Sequence, residues 1–196
     1  TGRIAATIGG ATIPKQGIAA VALDFKTQWA LLSNIQIERA LTDDISASLG
    51  YINSIGRNMP VVLDTNLTPT GATLGDGRPV YSSTRPNTAF NAIDVAQSIG
   101  EGSYNALTVT VQKRMRNGWQ MQANYTLAKS TDNAPFPGYV LATGDSRISD
   151  PSNIDRDKGV APFNQTHTFA LSTLLQPKIE GSLAPIVNNN QLGVII

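Results

Sequence analysis

The sequence predicts an all-β fold, an antiparallel up-and-down meander. Two observations carry that expectation: apolar and polar residues alternate with period two over segments of about ten positions, and tight turn signals alternate with long stretches rich in Pro, Gly, Asn and Thr. Composition agrees. The 196 residues are 41% hydrophobic and only 15% charged, against roughly a quarter charged in an ordinary soluble domain. The low hydrophobicity and high net charge that mark disorder are both missing.

Taken in order, the first strand spans 28–41, where Trp29, Leu31, Ile35, Ile37 and Leu41 alternate with Gln28, Asn34, Gln36 and Glu38. Thr42-Asp43-Asp44 makes a short turn into a second strand, 45–58, with Ile45, Ala47, Leu49 and Tyr51 on one face and Ser46, Ser48 and Gly50 on the other. Pairing Leu41 with Ile45 sets Ile37 against Leu49. After a long irregular stretch, 63–100, the third strand covers 103–115: Leu107, Val109, Val111, Lys113 and Met115 alternate with Thr108, Thr110, Gln112 and Arg114. The fourth, 119–131, sets Trp119, Met121, Ala123, Tyr125 and Leu127 against Gln120, Gln122, Asn124 and Thr126.

Between the third and fourth strands stands Asn117-Gly118, a pair typical of two-residue hairpin turns. That register puts Met115 opposite Gln120 and mixes the faces, although cross-strand partners share a face. A three-residue loop, Arg116-Asn117-Gly118 with Gly118 left-handed, is therefore expected. It pairs Met115 with Trp119, Lys113 with Met121 and Val109 with Tyr125. A second long stretch, 132–162, precedes a fifth strand, 163–175, with Phe169, Leu171 and Leu175 against Thr166, Thr168, Ala170 and Ser172; 191–196 begins a sixth.

Short turns at one end, very long loops at the other, and strands apolar on one face and polar on the other describe a segment of a transmembrane β-barrel with long external loops. On this reading 1–196 is one partial barrel. Its lumen-facing residues are Gln36, Glu38, Ser46, Ser48, Thr108, Thr110, Gln112, Arg114, Gln120, Gln122, Asn124 and Thr126. Its lipid-facing residues are Ile35, Ile37, Leu49, Leu107, Val109, Val111, Met121, Ala123 and Leu127. Trp29, Arg39, Tyr51, Lys113, Trp119 and Tyr125 fall at the membrane interface, where aromatic rings and long cations gather. Tyr51 and Tyr125 lie at matching distances from their turns and are expected at one height. Known barrels close with at least about eight strands, so the edge strands need partners from further sequence, another copy or a different chain.

Other chemistry is excluded or weak. A net charge of +1 gives no electrostatic footprint for nucleic acid. There is no cysteine and a single histidine, His167, so no metal centre built on Cys or several His is available. Gly144-Asp145-Ser146 with His167 has the residue types of a hydrolase nucleophile and base, but no Asp or oxyanion glycines at suitable spacing. Asn153, Asp155 and Asp157 resemble a calcium loop, yet Lys158 and Phe163 occupy the places of its Gly and Glu. The glycines from Gly71 to Gly77 lack the Gly-Lys-Ser/Thr ending of a phosphate loop. The chain is expected to be no enzyme and to carry no cofactor.

Ser103-Tyr104-Asn105-Ala106-Leu107, with Lys113-Arg114, Gly118-Trp119, Tyr125-Thr126 and Lys129-Ser130-Thr131-Asp132, resembles the barrel of Oar-like TonB-dependent outer-membrane receptors. This type abounds in acidobacteria, often with a carboxypeptidase-regulatory-like N-terminal domain. Gln28-Trp29, Ile37-Glu38-Arg39, Gly50-Tyr51 and Gly56-Arg57-Asn58-Met59-Pro60 extend the likeness, which covers 24–175. Where the family carries an Asp and an Arg-His pair, this chain has Asn164 and Thr166-His167. The resemblance implies a bacterial outer-membrane location, lipid as surroundings, and uptake of a bulky solute energised by TonB through an N-terminal part. With no plug or TonB box here, the chain reads as an internal slice. The alternative is a non-transport surface or self-assembling β-protein used for binding or adhesion.

Overall fold

The computed structural model describes residues 7–8, 11–12, 15–134 and 148–196. Its strands are β1 (Thr7–Ile8), β2 (Ala11–Thr12), β3 (Ile18–Val21), β4 (Trp29–Ala40), β5 (Ile45–Asp64), β6 (Pro69–Thr73), β7 (Pro79–Tyr81), β8 (Ile93–Arg116), β9 (Trp119–Asp132), β10 (Gly159–Val160), β11 (His167–Leu175) and β12 (Leu192–Ile195). Helix among the described residues is limited to the turns Ile154–Asp157 and Ala184–Val187. None is long and apolar enough to cross a membrane.

One sheet dominates, with neighbours in the order β12-β11-β9-β8-β5-β4. The β8–β9, β9–β11 and β11–β12 pairs are antiparallel. Two short strands flank the path: β10 on β9, and β3 parallel to the start of β8. Strands β5 and β8 reach 20 and 24 residues, several times the usual five or six. The stretch 63–100 is thus less irregular than the sequence suggested. Asp64 ends β5, Ile93 opens β8, and β6 and β7 form a hairpin between them. At the other end of the chain, β11 starts at His167 rather than at 163.

The β8–β9 turn also departs from expectation. Lys113 pairs with Met121 and Val109 with Tyr125, but Arg116, not Met115, pairs with Trp119. Asn117 and Gly118 both have positive φ, 54° and 72°, as a two-residue type I′ turn requires. The conflict of phase is resolved by a bulge between Lys113 and Arg116, which adds one residue to β8 and returns each face to its side. Gly118 is doubly required, since a Cβ there would run into the Gln176 carbonyl, while its own carbonyl accepts the Gln176 N–H at 2.6 Å.

The chain forms two compact units. The first comprises Thr1–Trp29, Arg57–Glu101 and Asn133–Lys158. It has an apolar core of Val61, Leu63, Ala134 and Ile148, with Met59 and Ile154 packed against it. Gly100 lies under this core because a Cβ would stand 2.7 Å from Ala134 Cβ and 2.9 Å from the Met59 carbonyl oxygen. Buried Asn66 clamps the loop beyond β7: its amide donates to the Asn87 and Phe90 carbonyls at 3.0 and 3.2 Å, and its oxygen accepts the Asn87 N–H at 2.8 Å. Arg85 meets Asp64 beside it at 2.6 Å.

The second unit, Ala30–Gly56, Gly102–Asp132 and Gly159–Ile196, has no such core. Its buried apolar residues, among those described, are Ala106, Ala128 and Ala161. Three alanines cannot hold a sheet of this size by burial in water. The apolar side chains of the unit lie on its exposed surface instead.

Candidate functional site

Pleating sorts the second unit into two faces. On one, rows run across β8, β9 and β11: Val111, Ala123, Leu171; Val109, Tyr125, Phe169; Leu107, Leu127, His167. Ile35, Ile37 and Leu49 extend the same phase onto β4 and β5. Most of these side chains are open, with Ile35 at 66%, Ile37 at 70% and Phe169 at 56% exposure, while Val111, Ala123 and Leu171 are half-buried. A contiguous apolar surface of this extent marks contact with another apolar phase.

On the other face Thr108, Thr126 and Thr168 form one row, Thr110, Asn124 and Ala170 the next, and Gln112, Gln122 and Ser172 a third. Thr110 Oγ1 donates to Asn124 Oδ1 at 2.9 Å and Thr108 Oγ1 to the Gly50 carbonyl at 3.3 Å. Gln120 sits opposite Leu174, Ser46 and Ser48 are half-buried on β5, and Gln36, Glu38 and Arg114 are exposed. The sequence placed all of these in the polar phase except Leu174, which it did not assign.

Both ends of the apolar face are polar, in different ways. At the short-turn end Lys113 is buried at 8% exposure. Its Nζ donates to Asp44 Oδ2 at 2.7 Å and stands 5.2 Å from the centroid of the Trp119 ring. The expected outward-reaching cation is instead an ion pair capped by an indole. Arg116 approaches Asp44 Oδ1 at 3.4 Å, and the Asp44 carbonyl accepts the Arg114 N–H at 2.8 Å. The Lys113 hydrogen bond, helped by Thr42 and the charge of Arg116, holds the Asp44 carboxyl below its ordinary value. Trp119 Nε1 donates to Thr173 Oγ1 at 3.0 Å. Arg39, one residue before the end of β4, is exposed.

At the far end, Asn105 Oδ1 accepts from Tyr51 Oη at 2.7 Å and from Asn53 Nδ2 at 2.8 Å. Tyr125 Oη lies 2.7 Å from His167 Nδ1. The Tyr51 hydroxyl reaches Asn105, whereas the Tyr125 hydroxyl reaches His167, in the Leu107 row. They share a direction, with each hydroxyl pointing away from the short turns. Asn53 was not singled out from the sequence, and Asn105 was named only within the Ser103–Leu107 block, with no role at the end of the band. The available signal was the point at which the apolar phase turns polar, from Leu107 to Asn105 and from Leu127 to Lys129. Trp29 opens β4 in the first unit, exposed at 53%.

The apolar band between these ends has a membrane's dimensions. From Lys113 to Asn105 the strand runs about 27 Å at about 3.4 Å per residue. A tilt of about 40° reduces that to about 20 Å of height, close to the apolar band of about 25 Å in outer-membrane barrels.

Among the described residues no group of three or more His, Cys, Asp and Glu stands together as a metal ion would need. The carboxylates of the acidic loop, Asp150, Asp155 and Asp157, are engaged in closing it. Asp157 accepts the Ser149 N–H at 2.7 Å, Asp155 accepts the Asn133 amide at 2.8 Å, and Asp150 accepts the Ser152 N–H and hydroxyl at 2.9 and 2.5 Å. The Ser152 hydroxyl, with Arg156 nearby, keeps the Asp150 carboxyl below its usual range. Gly144-Asp145-Ser146 lies outside the described residues.

Comparison with known proteins agrees with this geometry. No curated protein and no solved structure matches the chain. A family model described as an outer membrane beta barrel domain matches residues 2–192. Nearly the whole length is covered, and the open apolar band, the meander and the absence of a core in the second unit are what such a domain requires. The chain belongs to the outer-membrane β-barrel domain family, and its place is the bacterial outer membrane.

Proposed function

We propose that the chain is part of a TonB-dependent transporter barrel that takes up a bulky solute and performs no catalysis. One observation carries the reading: a sheet of six neighbouring strands presents a largely uncharged polar face opposite an apolar band, and among the described residues neither outer strand, β4 or the short β12, pairs with a further strand on its outer edge. Six is fewer than the about eight strands of the smallest closed barrel. Further strands on both edges would give a wide barrel with this polar face inside. In that barrel the Thr108–Arg114 and Gln120–Thr126 polar sets, with Gln36, Glu38, Ser46 and Ser48, line the lumen, and Ile35, Leu49, Val109 and Ala123 face lipid. The link to TonB rests on the likeness of Ser103–Leu107 to the receptor family. In this chain the block does structural work: Ser103 Oγ bonds Thr131 Oγ1 at 2.9 Å, Asn105 holds Tyr51 and Asn53, and Ala106 is buried.

A surface protein used for adhesion is the competing reading, favoured by the packed core of the first unit. Cells carrying the full-length protein separate the two. Transport requires that solute accumulation stop when TonB is deleted or the proton gradient collapsed, with surface binding unchanged. Cell-surface binding with no TonB-dependent accumulation would establish adhesion and overturn transport.

A further inference from the structure

Two clefts lie on the polar face among the described residues. One, of about 220 Å³, is lined by Tyr104, Thr126, Ser130, Phe163, Asn164 and Thr168, among others. The second, of about 380 Å³, is lined by Gln120, Gln122, Ser172 and Thr173 with Leu174, Gly193 and Ile195. Neither has an Asp, Glu, Lys, Arg or His in its lining. Of the neighbouring cations, Lys129 shares the phase of Tyr125 and Leu127 on the opposite face, Lys113 is held by Asp44, and Arg114, on the polar face, lines neither cleft.

The first cleft alone of the two adds aromatic rings, and one of them is unspent. Phe163 is 64% exposed on a polar face, where a large apolar side chain gains nothing from water. Beside it the Asn164 side chain is fixed, accepting the Ser130 N–H at 2.6 Å and donating to Thr166 Oγ1 at 2.9 Å. A fixed ledge of hydroxyls and amides under an exposed ring suits a ligand with one apolar face, many hydrogen-bonding groups and no charge. A ferric chelate of the catecholate or citrate type carries net negative charge and calls for Lys or Arg. A free peptide brings charged termini that find no counter-charge here. A sugar ring has the required make-up: C–H groups for the aromatic face and hydroxyls for the ledge.

We propose that the Tyr104–Phe163–Asn164 cleft is a subsite for one unit of a neutral saccharide, with the amide-lined cleft beside Gln120 and Gln122 continuing the path. This rests on the reading of the polar face as lumen and names the class of solute that passes it. The test uses the full-length protein in lipid nanodiscs, titrated calorimetrically with maltotriose, xylotriose and N,N′,N″-triacetylchitotriose, and with ferric citrate and trialanine as charged probes. At least one neutral trisaccharide is expected to bind. Phe163→Ala should weaken it about tenfold or more, the equivalent of about 1.4 kcal/mol. Phe169→Ala, which removes another exposed phenylalanine, from the apolar face, should leave binding unchanged. Because Phe163 is exposed, its removal should not disturb folding, and unaltered heat-shifted mobility on gels checks this.

Binding of ferric citrate or trialanine with no trisaccharide binding overturns the proposal. So does equal loss from the two phenylalanine variants. The measurement needs no TonB, so its outcome is separable from transport: trisaccharide binding by a protein that does not accumulate solute upholds the subsite and removes the transporter, and TonB-dependent uptake of a charged chelate alone does the reverse.

Discussion

At the scale of single residues, position parity decides environment. Val111 and Gln122 lie on adjacent strands of one sheet, yet their side chains leave it on opposite sides. Arginine at Val109, which shares the face of Val111 and stands midway between Lys113 and Asn105, should cost about 2–4 kcal/mol, while arginine at Gln122 joins a polar face and should cost well under about 1 kcal/mol. Urea unfolding in phosphatidylcholine bilayers measures both. Equal costs would mean that the faces are wrongly assigned. Parity was legible in the sequence because Val, Leu, Thr and Gln alternate cleanly from Leu107 to Leu127. The fate of Lys113 was not: its phase was readable, but Asp44 is distant in sequence and only the fold brings it to 2.7 Å.

At the scale of elements, the main problem is how β5 and β8, separated by a long insertion, find the right register. A slip of one residue would reverse every face. Three contacts fix it: Asp44 with Lys113 and Arg114 at one end, Thr108 with Gly50 in the middle, and Asn105 with Tyr51 and Asn53 at the other. The first is titratable. Asp44 has its ordinary value of 3.8 when unfolded and a lower one in the folded turn, chiefly through Lys113. As pH falls between those values the unfolded chain takes up the proton first. The stability from this pair is therefore complete above the ordinary value and lost as pH drops through the folded one. The urea midpoint in bilayers should stay level from about pH 7 to about pH 5 and fall below about pH 4, more shallowly in Lys113→Met. An identical acid limb in that variant would exclude the ion pair as its cause. The extension of β8 back to Ile93 was hidden for a related reason: Asp94, Ala96, Ser98 and Gly100 alternate with Ile93, Val95, Gln97 and Ile99 without a clean contrast. The bulge was hidden because an Asn-Gly turn and the facial pattern demanded different registers, and an added residue satisfies both.

At the scale of the molecule, the height of the band in the membrane is set by its ends. Trp119, beside the buried Lys113–Asp44 pair, should lie at headgroup depth. With Trp29 replaced by Phe, its fluorescence should be quenched more strongly by lipids brominated high on the acyl chain than by those brominated near the methyl end. Stronger quenching from the deep label would displace the band by half a bilayer and refute the assignment of its ends. The sheet of the second unit is one layer thick, and this has a consequence for how such a protein changes. In a protein with a packed interior, each substitution is felt by neighbours from several elements, so altering what the molecule recognises disturbs what holds it together. Here a side chain on the polar face touches neighbours on that face alone, and the apolar residues behind it answer to a different solvent. The positions that read a ligand and the positions that keep the protein in its membrane are interleaved one by one along the same strands while remaining independent under mutation. A lineage can therefore revise every second residue, and with it what the protein binds, while the strands between continue to satisfy the lipid.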